Sequence, residues 1–249
     1  MSHIIGQEAY DDILKNAAMG NFDVLSVKQV SMKVEIWADI VCPWCYIGKR
    51  RFEEAFNQFE HKSNFMIEWK SYQLDPNRKT EPEKNINQML AEKKGWTLDY
   101  AKKVHNNVTD LALKAGLIYN FSKAIVANTF DAHRLIQLAK KQGLGDAAEE
   151  RMFRAYFTEG QNIADHPTLV QLGSSIGLDP SKVSQMLAGN DCAEEVNKDI
   201  YQARLMGIQG VPHFIINKKY RVSGAQQPEA FLSALQTAWE NEKGVSVEV

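Results

Sequence analysis

The chain has 249 residues, 44% hydrophobic and 24% charged, with a formal net charge of −2. These proportions belong to a globular protein long enough to bury a core without metal or disulfide staples. The near-neutral balance gives no pull toward nucleic acid or an anionic membrane surface, and no apolar stretch reaches the ~18 residues of a membrane span.

Residues 1–31 read as an N-terminal extension. The opening segment, Met1 to Asp12, has neither a basic n-region nor an apolar h-region, so no secretory signal is expected and the expected compartment is the cytoplasm. Gln7 to Met19 predicts a short helix with Tyr10, Ile13, Leu14 and Ala17 on one side and Gly20-Asn21 as its stop. No residue of the expected site lies in this arm, whose expected role is packing or partner binding.

Met32-Lys33 opens a strand over 33–40, and the apolar run to Val41 reads as buried. Cys42-Pro43-Trp44-Cys45 follows directly, and a helix at about 45–60 comes next. Two thiols at this spacing, where a strand turns into a helix, suggest a thioredoxin-like redox site. The unpaired N–H groups of a helix start favour a thiolate, which is then the better nucleophile and leaving group. Zinc needs about four ligands, and neither a second C-x-x-C nor an H-x-x-x-H is present, so no metal is expected. A structural disulfide fits an oxidising compartment, which the sequence does not indicate. Trp44 is expected to tune access to the thiols. Lys49-Arg50-Arg51 reads as a solvated basic face rather than a substrate clamp.

Phe65 to Tyr72 has the alternation of a second strand, completing a strand–helix–strand unit with a right-handed crossover, and Leu74-Asp75-Pro76-Asn77 ends it in a turn. From 84 to 206 the pattern is nearly all helical, with helices predicted at 85–94, 97–116, 127–142, 145–158, 166–177, 180–188 and 191–206. Six stops are legible, at Lys94-Gly95, Ala115-Gly116, Gln142-Gly143, Glu159-Gly160, Ile176-Gly177 and Met206-Gly207. Asp165-His166-Pro167 and Asp179-Pro180 place an acidic cap before proline in a first turn. Cys192, near a helix start, reads as a small buried hydrophobe. Val211 to Asn217 and Tyr220 to Gly224 predict a hairpin around Asn217-Lys218-Lys219. Pro228 to Glu240 predicts a closing helix with Phe231, Leu232, Leu235 and Trp239 toward the core. The sum is an α/β thioredoxin fold split by a large all-helical insertion: 32–80 as a βαβ first part, 81–206 as the insertion, 207–249 as a ββα second part.

The chain at this point resembles the DsbA-like thioredoxin-fold oxidoreductases, most closely their cytoplasmic FrnE-like branch. The matching segments are Ile36 to Arg50 around the C-P-W-C, Asn128-Thr129-Phe130-Asp131-Ala132-His133-Arg134-Leu135, Gly207 to Phe214, and Val222-Ser223-Gly224-Ala225-Gln226. The resemblance implies that Cys42 is the attacking or leaving thiol and Cys45 the resolving thiol. It implies that Pro212 is a cis-proline facing them, and that the Val211 backbone pairs with a bound peptide strand. Pro43, Trp44, Val211 and Pro212 would form the substrate surface, with His133 and His213 as neighbours. On the residues alone, Val211-Pro212 also reads as a proline opening a strand, and His133 as a hydrogen-bonded core histidine.

Two departures stand out. Thioredoxins place a buried acid six residues before the first cysteine, where this chain has Ile36, with Glu35 and Asp39 nearby. Some FrnE-like relatives carry a second cysteine pair, where this chain has only Cys192. The implied activity is thiol–disulfide exchange on protein or small-molecule substrates, with no bound cofactor and with glutathione as a co-substrate. The alternative is a glutathione-dependent isomerase of the 2-hydroxychromene-2-carboxylate isomerase type, in which one Ser or Cys activates glutathione; such an enzyme needs no resolving thiol, and Cys45 speaks against it. A third reading, a non-enzymatic binding protein or chaperone using the helical block, is separated by a disulfide turnover assay.

Overall fold

The computed structural model describes residues 32–243, so the helix expected at Gln7–Met19 lies outside the described residues. The described residues form one compact unit. Strand β1 (Met32–Ala38) runs into helix α1 (Pro43–Gln58), and β2 (Phe65–Ser71) lies parallel to β1. A short strand, β3 (Glu81–Asn85), precedes α2 (Ile86–Lys94) and α3 (Leu98–Lys114). Then come β4 (Ile125–Val126), α4 (Phe130–Lys140), α5 (Gly145–Arg154), α6 (His166–Ser175), α7 (Pro180–Ala188) and α8 (Ala193–Leu205). The hairpin β5 (His213–Ile216) and β6 (Tyr220–Ser223) and the closing helix α9 (Pro228–Lys243) complete the chain order.

The main sheet has the order β2-β1-β5-β6, with β5 antiparallel to both β1 and β6. β1 is central: its first half alternates, with Lys33 and Glu35 half-buried between buried Met32, Val34 and Ile36, and from Ile36 it is continuously apolar and buried on both faces. Ile36 and Phe214 stand opposite each other in register. On that face Phe214 meets Phe52 of α1 at 5.4 Å and Phe231 of α9 at 4.6 Å between ring centroids. On the other face Trp37 and Ile215 pack with Ala203 of α8 and with Ile208. The Trp37 indole N–H donates to the Asp199 carbonyl at 3.0 Å, so the one polar atom of this fully buried ring is satisfied.

Each of the six expected glycine stops has φ between 68° and 96°, the left-handed conformation that ends a helix and that a Cβ disfavours. Asp165 accepts from the Thr168 N–H at 2.9 Å and Asp179 from the Ser181 N–H at 2.8 Å, as their cap positions require. Three details differ from the sequence expectations. The 81–206 segment contains a short antiparallel ladder between β3 and β4. β3 reads Glu-Pro-Glu-Lys-Asn, with no apolar alternation to announce a strand, and its proline is tolerated because the strand has a single partner. The helix expected from 127 begins at Phe130, because Val126 is drawn into the ladder and the Asn128 side chain accepts the Phe130 N–H at 2.8 Å. The helix expected through 158 widens to a π-turn at Ala155–Glu159. Among the described residues, no helix is long and apolar enough to cross a membrane.

The antiparallel register of β1 and β5 positions the site. Trp37, at the end of β1, pairs with His213, at the start of β5. The loop leaving β1 toward Cys42 and the loop entering β5 through Val211-Pro212 are therefore brought side by side. Both lie within Met32–Val249, so a chain beginning at Met32 is expected to keep disulfide turnover within about tenfold of the full chain, ~1.4 kcal/mol of barrier. A folded truncation that loses more in the same assay would assign the 1–31 arm a part in shaping the site.

Candidate active site

Cys42 is the N-cap of α1, with extended backbone (φ −88°, ψ 110°), no side-chain cap bond and Pro43 in the first turn. Its N–H donates to the Asp39 carbonyl at 2.9 Å, and its carbonyl accepts the Cys45 N–H at 3.0 Å. Proline suits this position, since its missing N–H would have no partner in a first turn. The Cys42 sulfur thus sits at the mouth of the helix and donates its S–H to the Val211 carbonyl at 3.5 Å. Cys45, one turn in, is fully buried and within hydrogen-bond reach of Cys42. Burial first, then the bond to Cys42 and its charge, pushes the Cys45 thiol up, so it stays protonated, while Cys42, itself 4% exposed, lines the adjoining cavity. All three cysteines are free thiols.

The Val211–Pro212 peptide is cis, and the Pro212 carbonyl accepts the Gly224 N–H at 2.8 Å. Gly48 of α1 lies directly against this loop: a Cβ there would stand 2.8 Å from Pro212 Cγ. Tyr119 donates to the Pro43 carbonyl at 2.7 Å, fixing the first turn of α1 from the helical side. Burial and the nearby Cys42 and Cys45 hold its phenol well above the usual range.

Cys42, Pro43, Trp44 and Val211 together line one wall of a cavity of about 490 Å³. Apolar side chains also line it, with Met89 of α2, Val104 and Val108 of α3, and Phe121. Trp44 is 39% exposed and forms part of the opening. Arg78, Lys93 and Lys94 also line the cavity, Arg78 and Lys93 holding Asp75 at 2.7 and 3.0 Å. His105 stacks on Phe121 and its Nδ1 lies 2.6 Å from Asn87 Oδ1; burial lowers its pKa to about 4, so it is neutral at pH 7. This is the size and lining of a small-molecule or side-chain pocket.

The structure therefore brings together Cys42, Cys45, Pro43, Trp44, Val211 and Pro212. His213 adjoins Pro212 in sequence, but its Nδ1 faces Ser223 Oγ at 3.0 Å across the hairpin; burial and then Arg221 lower its pKa. His133 is buried on α4, its Nε2 3.4 Å from Asp39 Oδ1. The basic run of α1 is not a solvated face. Lys49 is 1% exposed and paired with Glu53, Asp146 and Glu150; Arg50 holds Glu53 and Glu150; Arg51 donates to the Ala225 carbonyl at 2.6 Å. These cations tie α1 to α5 and to the segment before α9. Asn128 has a similar positioning part, donating to the Pro76 and Arg78 carbonyls and so holding the turn that borders the cavity. Gly48 and Tyr119 were not singled out by the sequence; a glycine one turn past the second cysteine was the available signal for the first.

Cys192 lies elsewhere, buried as the N-cap of α8 at φ 65°, its thiol pushed up chiefly by burial. Cys192→Ser is expected to keep exchange activity within about twofold, and peptide mapping of the oxidised protein should find no Cys192 disulfide. A mapped Cys192 disulfide would give that thiol a redox role.

A central strand that hands two spaced thiols to a helix N-terminus, beside a cis-proline loop, defines the thioredoxin class of folds. The DSBA-like thioredoxin domain matches residues 33–236, and the chain belongs to that family. It is similar to a probable DsbA oxidoreductase of Streptomyces coelicolor, with 38% identity, a TM-score of 0.80 and coverage of 84% of this chain and 90% of the other. It is also 26% identical to the uncharacterized protein YwbO of Bacillus subtilis over 220 residues, 83% of this chain and 96% of that one. The cytosolic disulfide reductase DsbM of Pseudomonas aeruginosa shares the fold at 16% identity, with a TM-score of 0.58 and coverage of 84% and 98%; its structure is also known with GSH.

Proposed function

We propose that this protein is a cytoplasmic thiol–disulfide oxidoreductase of the FrnE-like branch, exchanging disulfides through Cys42 and Cys45. The observation that carries the reading is the pair of thiols in mutual hydrogen-bond reach, one at the helix mouth beside the Val211 carbonyl and one fully buried. The Cys42 thiolate attacks a substrate disulfide sulfur, the substrate's other sulfur leaves as a thiolate, and a mixed disulfide forms. Cys45 then attacks Cys42 Sγ, releasing the second substrate thiol and closing the Cys42–Cys45 disulfide. Run backwards, the site oxidises dithiols. The exposed edge of the Val211 backbone offers main-chain pairing to an extended peptide, and the apolar cavity accepts a side chain or a small thiol.

Glutathione is proposed as a co-substrate that recycles the site; the fold shared with DsbM, whose structure holds GSH, supports this. A cytoplasmic setting is supported by the fold shared with the cytosolic disulfide reductase DsbM. The test is stoichiometric: reduced protein mixed with a disulfide peptide should yield one equivalent of peptide dithiol and an intramolecular Cys42–Cys45 disulfide by mass spectrometry. Protein that leaves the peptide disulfide intact and, once oxidised, also fails to oxidise the peptide dithiol would overturn the reading.

A further inference from the structure

Three buried polar atoms near Cys45 have no hydrogen-bond partner among the described residues: Asp39 Oδ1, His133 Nε2 and Glu149 Oε1. Their residues are 1%, 1% and 2% exposed, and they come from three separate elements, the loop after β1, α4 and α5. Asp39 Oδ1 and His133 Nε2 are 3.4 Å apart, close but not aligned as a hydrogen bond. The other Asp39 oxygen accepts the Leu74 N–H at 2.8 Å, so only Oδ1 is left to serve the interior. An unpaired buried polar atom forfeits its hydration with nothing in return, and three on interacting residues call for a reason. A proton shared among them supplies one, because it turns bare acceptors into donor–acceptor pairs.

The cluster adjoins the reacting sulfur. The Asp39 backbone hydrogen-bonds Cys45, and its carboxylate opposes a thiolate there. Asp39 also lines the cavity, which gives the cluster an exit to solvent. We propose that Asp39, His133 and Glu149 form one buried proton site, which takes the proton of Cys45 as that thiol resolves the mixed disulfide and returns it in the reverse reaction. Asp39 is the member next to Cys45; His133 and Glu149 act through it as positioning residues. The inference rests on the exchange reading and deepens it.

The step balances. The Cys45 S–H bond breaks and its proton passes to the cluster. The Cys45 sulfur attacks Cys42 Sγ, the bond from Cys42 to the substrate sulfur breaks, and the Cys42–Cys45 bond forms. The substrate leaves as a thiolate and takes a proton from water. The cluster then releases the Cys45 proton through Asp39 to the cavity. The disulfide substrate is the only oxidant.

The groups facing Glu149 are Lys49 of α1, Asp39, His133 of α4, and Asp146 on α5 itself. Burial is the largest influence and raises its pKa, His133 and Lys49 pull it down, Asp146 and Asp39 push it up, and the result is about 7. Only the ionised carboxylate accepts a proton, so resolution should speed up as pH rises through this value. Removing His133, which pulls the Glu149 pKa down, should move that inflection upward.

The test uses the Cys192→Ser protein, reduced, in single turnovers with 5,5′-dithiobis(2-nitrobenzoate) from about pH 5.5 to 9. The first release of aryl thiolate reports attack by Cys42, the second attack by Cys45. Glu149→Gln should slow the second phase about tenfold near pH 8 and abolish its inflection, leaving the first phase within about twofold; Glu149→Asp should restore an inflection, and His133→Gln should shift it upward. A folded Glu149→Gln with the original second-phase profile overturns the proposal. If that variant does not fold, an unmoved inflection in His133→Gln does so. If neither folds, the unsubstituted protein decides: it should show the infrared carbonyl band of a buried carboxylic acid that vanishes as pH rises through about 7, and a spectrum without that band overturns the site. Failure of the exchange reading looks different, since the second phase would then be missing altogether.

Discussion

Cys42→Ser is expected to reduce disulfide turnover to background, a loss of about 10³-fold or more, ~4 kcal/mol of barrier. Cys45→Ser is expected instead to accumulate a covalent adduct through Cys42. The difference follows from where the sulfurs sit. Cys42 caps α1 and faces the Val211 carbonyl, where a substrate sulfur can reach it. Cys45 is fully buried, and burial holds its proton on, so it reacts only with the sulfur already bonded to Cys42. Serine at 45 fills the same space but displaces nothing, and the mixed disulfide has no internal route to resolution. Non-reducing mass spectrometry after mixing Cys45→Ser with a disulfide peptide or oxidised glutathione should find one adduct per chain. The same experiment separates the two enzyme classes. A glutathione-dependent isomerase needs a single sulfur-activating residue, so Cys45→Ser would turn over normally and trap nothing, and that outcome would end the two-thiol mechanism.

The sequence was most informative where one residue type has one physical use. The six glycine stops all take positive φ, a conformation that penalises any Cβ. Asp165 and Asp179 cap their helices because a short carboxylate before a proline has few other good geometries. The two cysteines were legible for the same reason, their spacing and their place at a strand-to-helix turn. Legibility failed where the meaning of a residue is set by a distant partner. Lys49-Arg50-Arg51 looks like a wet basic face until α5 supplies Asp146 and Glu150. Glu149 looks like any helical glutamate until His133, Asp39 and Lys49 are folded around it. β3 has no strand pattern because main-chain pairing alone, with no buried face, makes it a strand.

Gly48→Ala is the substitution that tests whether the wall of the site is rigid. On an exposed helix position alanine would gain about 1 kcal/mol over glycine from propensity. At Gly48 the added methyl meets Pro212 Cγ at 2.8 Å and the Ala225 backbone at 3.5 Å. The proline ring can shift Cγ only by the small amount a change of pucker allows, and its carbonyl is tied to the Gly224 N–H. Either α1 or the Val211–Pro212 loop must move, and overpacking of this kind costs about 1–3 kcal/mol. The overpacking term is expected to win, leaving a net loss of up to about 2 kcal/mol in urea unfolding. Because the Val211 carbonyl accepts the Cys42 thiol, the displacement also reaches the reacting sulfur, and turnover should fall about 10-fold or more. Glu54→Ala, an exposed position on the same helix, is the control and should stay within about 0.5 kcal/mol of the parent. A Gly48→Ala protein as stable and as active as the parent would show that the loop yields to a methyl group, so that the approach of α1 to Pro212 does not set the geometry of Cys42.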